Sequence, residues 1–169
     1  MKMIWATWRK NYIQKETIPN SECVFCSIAK EDPSDASNLV LYRGVYNYVV
    51  MNLYPYTSGH VLIVPYRHVA DYRELREKEL TEMCLLEQRI ISWLEKAFHP
   101  QGYNLGVNLC RVAGAGIDSH LHRHVVPRWK GDSNFMTTIG EIRVMSISLK
   151  DAYDQIKKQI QEESNEKTI

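Results

Sequence analysis

The hydrophobic positions of this chain change their period several times along the sequence, and these changes divide it into predicted elements. Segments rich in Val, Ile and Tyr, or with alternating polarity, predict strands. They are LVLYRGVYNYVVMNL at 39–53, which breaks into two strands at Arg43-Gly44, VLIVPY at 61–66, YNLGVNLC at 103–110 and HLHRHVV at 120–126. The wholly apolar VLIVPY predicts a strand in the centre of a sheet, and Pro127 ends the last strand.

Two segments change to a spacing of three to four, which is typical of amphipathic helices. The first helix lies within 71–98 and ends before Pro100 and Gly102. One face of it carries Leu80, Met83, Cys84, Glu87, Ile90, Ile91, Leu94 and Phe98, of which only Glu87 is charged. The second runs over 148–164, with Ser148 as its N-cap. Its apolar side carries Leu149, Tyr153, Ile156 and Ile160.

The order of elements is strands, one long helix, strands and a carboxy-terminal helix. This order predicts an α+β fold with a mostly antiparallel sheet of about five strands. The length of 169 residues predicts a single domain over 1–169. We expect an aromatic amino-terminal arm at 1–22 and a frayed tail at 165–169.

Amino-acid composition and net charge limit the classes of partner that we expect this protein to bind. Hydrophobic residues make up 44% and charged residues 24%, and 21 basic against 20 acidic residues give a formal charge of +1. No overall basic field favours a long nucleic acid, whereas a small anionic ligand needs only local donors. No apolar run suits a signal peptide or a membrane span. We therefore expect a soluble cytoplasmic protein without a membrane partner.

Three of the six histidines occupy every second position of the last predicted strand, at His120, His122 and His124. Side chains of a strand alternate between its faces, so the three imidazoles share one face. A helix would pair only the first and the third. The β-branched pair Val125-Val126, followed by Pro127, disfavours a helix.

Two kinds of site suit such a face. Two histidines at i and i+2 can chelate a metal ion, or one imidazole can act as a nucleophile on a phosphate that its neighbours hold. Same-face side chains lie about 6.6 Å apart along a strand, so a division of labour is easier than one shared ion. The preceding loop, AGAGID, contains Gly114 and Gly116, which let backbone N–H groups approach an anion. Together with the histidines it favours phosphate.

The cysteines leave two interpretations open. Cys23 and Cys26 form a CxxC pair, which suits either a redox pair or half of a zinc site. Cys84 falls on the apolar face of the long helix and Cys110 at the end of a strand, so we expect both to pack inside the protein. A disulfide framework is not expected in a cytoplasmic protein.

With these motifs, the sequence resembles the histidine-triad (HIT) superfamily of nucleotidyl hydrolases and transferases. The superfamily signature His-φ-His-φ-His-φ-φ matches HLHRHVV, with Arg123 at one φ position on the face opposite the histidines. Two further blocks match, MNLYPYTSGHVLIVPYRH at 51–68 and GYNLGVN at 102–108. The runs NLYPYTSGH, HVVPRWKGDSNFM and WATWRKNYI followed by CVFC resemble the bacterial diadenosine tetraphosphate phosphorylase/hydrolase branch. The resemblance covers nearly the whole chain and implies a HIT-like fold.

The resemblance implies a set of roles. His122 would attack the α-phosphate of a nucleotide and form a nucleotidyl-histidine, and a backbone carbonyl near 120 would fix its tautomer. Asn52 would bind the ribose hydroxyls, and His60 would be a phosphate-side or supporting histidine. The remaining phosphate contacts would be Asn108, Gly114, Gly116, Ser119 and His124. Gly116 stands where much of the family has Gln.

The resemblance also implies a structural zinc ion held by Cys23, Cys26, His68 and His120, which would anchor the arm and orient the active-site strand. It further implies a homodimer with packed long helices and a continuous sheet. The substrate would be a nucleotide or dinucleoside polyphosphate.

Three functions remain open. The first is an enzyme that cleaves dinucleoside polyphosphates, of the diadenosine tetraphosphate phosphorylase or hydrolase type. The others are a nucleotide-binding regulator with little turnover, and a zinc metallohydrolase that uses the three histidines with Asp118. Phosphate as the acceptor would need a second anion pocket, with Arg111, Ser119, His60 or Lys130 as its donors. Arg128 and Lys130 could equally be solvated charges, and Trp129 could be core or could line the nucleotide site.

Overall fold

The computed structural model describes residues 23–32, 36–139 and 145–166. The predicted arm at 1–22 therefore lies outside the described residues, as do 167–169. The helices are α1 (Val24–Lys30), α2 (Glu77–Phe98), α3 (Phe135–Thr138) and α4 (Leu149–Glu166). The strands are β1 (Val40–Arg43), β2 (Asn47–Met51), β3 (Val61–Pro65), β4 (Gly102–Val107) and β5 (Arg123–Arg128).

The five strands form one antiparallel sheet in the order β1-β2-β3-β5-β4. The predicted α+β class, the long helix and the carboxy-terminal helix are confirmed. β3, the apolar VLIVP strand, lies in the centre and is buried over its whole length. Because β5 pairs with both β3 and β4, the histidine-rich segment enters the middle of the sheet.

The sheet separates two apolar clusters of unequal size. The larger cluster packs α2 and α4 on one face through Met83, Leu86, Ile90, Trp93, Leu94, Ala152, Tyr153, Ile156 and Ile160. The smaller one lies under α1 and contains Phe25, Val40, Tyr48, Val50, Leu62 and Val64. Leu121 and Val125 belong to the larger cluster, so His122 and His124, which alternate with them, point toward α1. The histidine face therefore lies opposite the two long helices.

The structure differs from the prediction in the start of the long helix and in the placement of two cysteines. Residues 71–76 precede α2, and its buried face is centred on Leu86 and Trp93, so Cys84 is exposed. Cys110 is exposed as well, in the turn after β4. The expectation that both cysteines are packed inside was wrong. For Cys84 the reason is that the buried face of α2 carries Trp93, which buries more apolar surface than a cysteine. Cys110 lies in the turn beyond the end of β4 at Val107.

Two further details concern the last strand and the last helix. Pro127 lies within β5 instead of ending it. β3 pairs with β5 only as far as Val125, so Pro127 stands where β5 has a single neighbour, a position that tolerates proline. Ser148 caps α4 by accepting a 3.1 Å hydrogen bond from the Asp151 N–H.

Candidate active site

Of the three histidines, His120 and His122 lie in the loop before β5, and His124 lies near the beginning of this strand. His120, His122 and His124 are all buried, with relative exposures of 0%, 7% and 7%. The rings of His122 and His124 lie edge to face at 4.9 Å, and Phe25 contacts both His120 and His122. The face shared by the three side chains, predicted from their alternation, is confirmed. Arg123 points to the other side and pairs with Glu87 of α2.

His122 is held in one tautomer by the backbone. Its Nδ1 lies 2.9 Å from the carbonyl oxygen of His120, and a carbonyl only accepts, so Nδ1 carries the proton. Nε2 is therefore the unprotonated nitrogen. Burial lowers the pKa of His122 and keeps the ring neutral. A neutral imidazole with a bare Nε2 is the form that can attack phosphorus.

A chain of hydrogen bonds sets the tautomer of His124. The backbone N–H of Tyr56 donates to Nδ1 of His60 at 3.1 Å, and the Asn52 amide lies 3.2 Å from the same atom. Nδ1 of His60 is thus an acceptor, so its Nε2 carries the proton and donates to Nδ1 of His124 at 3.0 Å. His124 consequently presents Nε2–H. Burial, and secondarily His122, lowers the pKa of His124 to about 4.

Asn108 extends this arrangement with a second donor. Its Nδ2 lies 3.5 Å from Nε2 of His124. In this tautomer both nitrogens carry hydrogens, so the two groups are neighbouring donors that one acceptor could bind together. A phosphate oxygen is such an acceptor, and oriented donors of this kind stabilise the charge of a phosphoryl group.

Two cavities meet at His124. The smaller, about 170 Å³, is largely apolar and is lined by Val24, Phe25, Ile28, Asn52, Ile117, His122 and His124 among others. The larger, about 920 Å³, is lined by Asn104, Gly106, Asn108, His124, Arg128, Trp129 and Lys130 among others. Tyr56 and His124 line both. The nucleophile candidate therefore faces the small cavity, next to the entrance of the large one.

The other predicted phosphate contacts differ in their position and in their exposure to solvent. Gly114 has φ +94°, and a side chain there would approach Nδ2 of Asn108 at 3.9 Å, so this loop turns next to the donors of the site. Gly116 is half-buried in the same loop, and Ser119 is exposed just before His120. Arg111 pairs with Asp118 at 3.0 Å on the surface.

Arg128 is bound within the protein. Its guanidinium pairs with Asp132 through two hydrogen bonds of 2.6 and 2.8 Å and donates to Asn104. The hydrogen bond from Arg128 also lowers the pKa of Asp132 to about 2. Arg128 is therefore a partly exposed charge, as the alternative interpretation had it, but its charge is paired with Asp132. Trp129 is half-buried and lines the large cavity.

A separate cluster brings together Cys23, Cys26, His68 and His120, whose ligand atoms all lie within 4.8 Å of one another. Nδ1 of His120 is 3.3 Å from Sγ of Cys23 and 3.6 Å from Sγ of Cys26. Nδ1 of His68 is 3.3 Å from Sγ of Cys26. A tetrahedral zinc ion with ordinary bond lengths separates sulfur and nitrogen ligands by about 3.5 Å, so the spacing fits this metal.

The tautomer of His120 also fits a metal ligand. Its Nε2 donates to the carbonyl oxygen of Pro65 at 2.9 Å, which leaves Nδ1 bare toward the thiols. His120 thus faces away from the phosphate donors, and the three histidines do not converge on one point. Asp118, the fourth ligand of a metallohydrolase centre, is engaged with Arg111. This geometry disfavours the metallohydrolase alternative.

Two residues that touch the site were not singled out from the sequence. Phe25 packs against the His122 ring at 5.1 Å between centroids, and Tyr56 supplies the amide that orients His60. Phe25 lies inside the CVFC run, which was a usable signal. Tyr56 acts through its backbone, which the identity of a side chain does not reveal.

Comparison with known proteins identifies the class. The family model described as HIT domain matches residues 34–131. The chain therefore belongs to the HIT domain family, and the resemblance inferred from the histidine triad is confirmed.

Particular relatives refine this placement. The chain is 39% identical over 156 residues to a Mycobacterium tuberculosis protein named AP-4-A phosphorylase, covering 89% of this chain and 80% of that protein. It is 33% identical over 93 residues to a Schizosaccharomyces pombe bis(5'-nucleosyl)-tetraphosphatase, asymmetrical, covering 55% and 50%. A crystal structure of a zinc-bound histidine triad family protein from Mycobacterium smegmatis shares the fold, with a TM-score of 0.68, 23% identity and coverage of 85% and 96%.

Within the described ranges, no helix combines the length and the apolar character that crossing a bilayer requires.

Proposed function

We propose that this protein cleaves dinucleoside polyphosphates such as diadenosine tetraphosphate, with His122 as the nucleophile. The observation that carries the proposal is the 2.9 Å hydrogen bond from Nδ1 of His122 to the His120 carbonyl, which leaves a bare Nε2 beside the donors of His124 and Asn108. The 39% identity to a protein named AP-4-A phosphorylase supports the same substrate class.

In the first step the lone pair of His122 Nε2 attacks the α-phosphorus. The bond between this phosphorus and the bridging oxygen breaks, its electron pair stays with the oxygen, and ATP leaves. His124 Nε2–H, oriented through His60, donates to that leaving oxygen. AMP is now bound to Nε2, and the His120 carbonyl accepts from the Nδ1–H of the cationic ring.

In the second step an acceptor oxygen attacks the same phosphorus and the N–P bond breaks, returning the lone pair to Nε2. Water as the acceptor gives AMP, and inorganic phosphate gives ADP. We propose phosphate. The large cavity beside His124 contains Lys130, an exposed cation that forms no ion pair with the described residues, and it gives the anion room. The name of the mycobacterial relative favours the same acceptor.

We assign the other residues accordingly. The apolar small cavity holds the nucleoside, and Asn52 at its edge lies where ribose hydroxyls would bind. His60 is fully buried and both its nitrogens contact protein atoms, so it supports His124 and does not touch phosphate. Asn108 and the loop of Gly114, Gly116 and Ser119 hold the phosphate oxygens.

We further propose that Cys23, Cys26, His68 and His120 hold a structural zinc ion. The supporting observations are the sulfur–nitrogen distances of 3.3 to 3.6 Å, which suit a tetrahedral ion, and the preset tautomer of His120. The ion would fix α1 against the loop before β5 and thereby the position of the His120 carbonyl. It would contribute to folding and not to the chemical steps.

A homodimer in the cytoplasm completes the proposal. β4 lies at the edge of the sheet and exposes Leu105, so a second copy could extend the sheet there. The cysteines of the described residues form no disulfide with one another, which suits a reducing compartment.

Product analysis tests the proposal. The protein is incubated with diadenosine tetraphosphate, with and without millimolar phosphate, and the nucleotides are separated by chromatography. ADP plus ATP, formed at a rate that rises with phosphate, is the expected result. AMP plus ATP, independent of phosphate, would identify a hydrolase. No turnover together with nucleotide binding would identify a regulator and refute the enzymatic assignment.

A further inference from the structure

The floor of the large cavity includes one face of the β4–β5 ribbon. Antiparallel pairing sets Gly106 opposite His124 and Asn104 opposite Val126, and residues opposite each other point to the same face. All four line the large cavity. Gly106 is therefore the position on this floor where a missing side chain leaves room directly beside His124.

Nothing in the fold requires glycine at this position. A Cβ added at Gly106 would meet no heavy atom within 4 Å, and Gly106 is not among the residues with positive φ. The free space therefore belongs to the cavity. Glycine in a strand interior costs stability and often marks a place where a ligand comes close to the backbone.

The lining of the large cavity suits a nucleotide. Trp129 offers a half-buried aromatic surface on which a base can stack, and Asn104 and Asn108 offer amides. Lys130 adds a positive charge for phosphates, whereas the charge of Arg128 is balanced by Asp132. Aromatic surface, amides and one available cation together match a base, a ribose and a phosphate chain.

The sizes of the two cavities indicate that each one binds a different part of the substrate. A volume of about 170 Å³ lies below the roughly 300–1,000 Å³ of sites that enclose a whole ligand, and about 920 Å³ lies near the top of that range. His124 lines both cavities, so a phosphate chain that passes it leads from the small one into the large one.

We propose that the large cavity binds the leaving nucleotide, the second nucleoside with its polyphosphate, and that Gly106 is the specificity-determining residue that admits it. The proposal rests on the proposed function, since it concerns the half of the substrate that departs when His122 is adenylylated. It predicts a preference for leaving groups that carry a second nucleoside.

The test compares two substrates that share the same α-phosphate. Diadenosine tetraphosphate fills both cavities, whereas the p-nitrophenyl ester of AMP places only a small phenol beyond His124. Gly106→Leu is expected to lower kcat/KM for diadenosine tetraphosphate at least tenfold more than for the ester. It should also weaken ATP binding at least tenfold more than AMP binding, as measured by calorimetry.

Gly102→Leu is the matched control. Gly102 lies on the same face of β4, has nothing within 4 Å of its Cβ position and does not line the cavity. Both rates should stay within about twofold. Lys130→Gln, at an exposed position, should weaken ATP binding severalfold and leave AMP binding unchanged, even where the Gly106 variant folds poorly.

The outcomes separate the two proposals. Equal losses on both substrates would mean that the new side chain disturbs His124 itself, and this would overturn the assignment. Unchanged ATP affinity in Gly106→Leu and in Lys130→Gln would overturn it as well. A wild-type protein that converts neither compound refutes the proposed function, and the ATP and AMP affinities then decide whether the cavity still binds a nucleotide.

Discussion

Replacing His60 with phenylalanine tests the hydrogen-bond chain behind His124. His60→Phe keeps an aromatic ring of similar size next to Tyr56, whose ring centroid lies 4.6 Å away. It removes the acceptor of the Tyr56 N–H and the donor to Nδ1 of His124. His124 then has no partner that fixes its proton on Nε2, and the leaving oxygen loses an oriented donor.

The expected magnitudes follow from these two losses. Removing one oriented donor from a developing oxyanion costs about 10²–10³ in kcat. A buried donor left without an acceptor costs about 1–3 kcal/mol of unfolding free energy. His60→Phe should therefore turn over diadenosine tetraphosphate about 100-fold more slowly, unfold at lower denaturant concentration and still bind AMP within about tenfold of wild type.

His60→Gln is the control, because its side-chain amide can donate to Nδ1 of His124 from nearly the same position. Its kcat should stay within about tenfold of wild type. Steady-state kinetics, AMP calorimetry and urea unfolding of the three proteins give the comparison. If His60→Phe kept a third of the wild-type kcat, the proton that His60 donates would not matter. If His60→Gln were as slow as His60→Phe, restoring a donor would not restore the function of His60. Either result would contradict the role assigned to this hydrogen-bond chain.

Three further predictions concern the nucleophile, the metal cluster and the partly exposed ion pair of Arg67 with Glu79. His122→Ala should abolish turnover and leave nucleotide affinity within about tenfold, because it removes the covalent route and few ground-state contacts; retention of a tenth of the wild-type rate would refute this. Elemental analysis should find one zinc per chain, and Cys23→Ser should lower the melting temperature by roughly 5 °C or more, at about 2–4 °C per kcal/mol, while nucleotide affinity changes less. Chelator-free protein without zinc would contradict the cluster assignment. The hydrogen bond from Arg67 lowers the pKa of Glu79, so this carboxylate stabilises the fold above its unfolded pKa of about 4.3, and the contribution is lost as pH falls through the lower folded pKa. Glu79→Gln should therefore be less stable than wild type at pH 7, and this difference should shrink as the pH falls below about 4.3. A difference that does not change with pH would contradict this origin.

Strand periodicity was enough to predict the face that carries the chemistry. Alternation from His120 to His124 separates the imidazoles from Leu121 and Val125, and the structure buries these two sets on opposite sides of the sheet. The apolar run of β3 likewise predicted its central position. These predictions succeeded because a period of two admits only two orientations.

Helix rotation and through-space partners were beyond the same reasoning. The apolar stripe of α2 is wide, so Cys84 and Trp93 could not be ranked until the sheet opposite them was known. The chain from Tyr56 through His60 to His124 links segments 64 residues apart and depends on a backbone amide. The pairing of Arg128 with Asp132 depends on the turn that follows β5. The spacing of residues along the sequence does not show which of them come into contact in the folded protein.

The covalent intermediate provides the most direct test of the central claim. Wild-type protein is mixed with diadenosine tetraphosphate in the absence of phosphate, quenched in alkali, where an N–P bond survives, and digested for mass spectrometry. His122→Ala is treated in the same way. The account predicts one adenylyl group on the wild-type peptide, located at His122, and none on the variant. An adenylyl group on another residue, or rapid turnover with an unmodified His122 at every quench time, would contradict it.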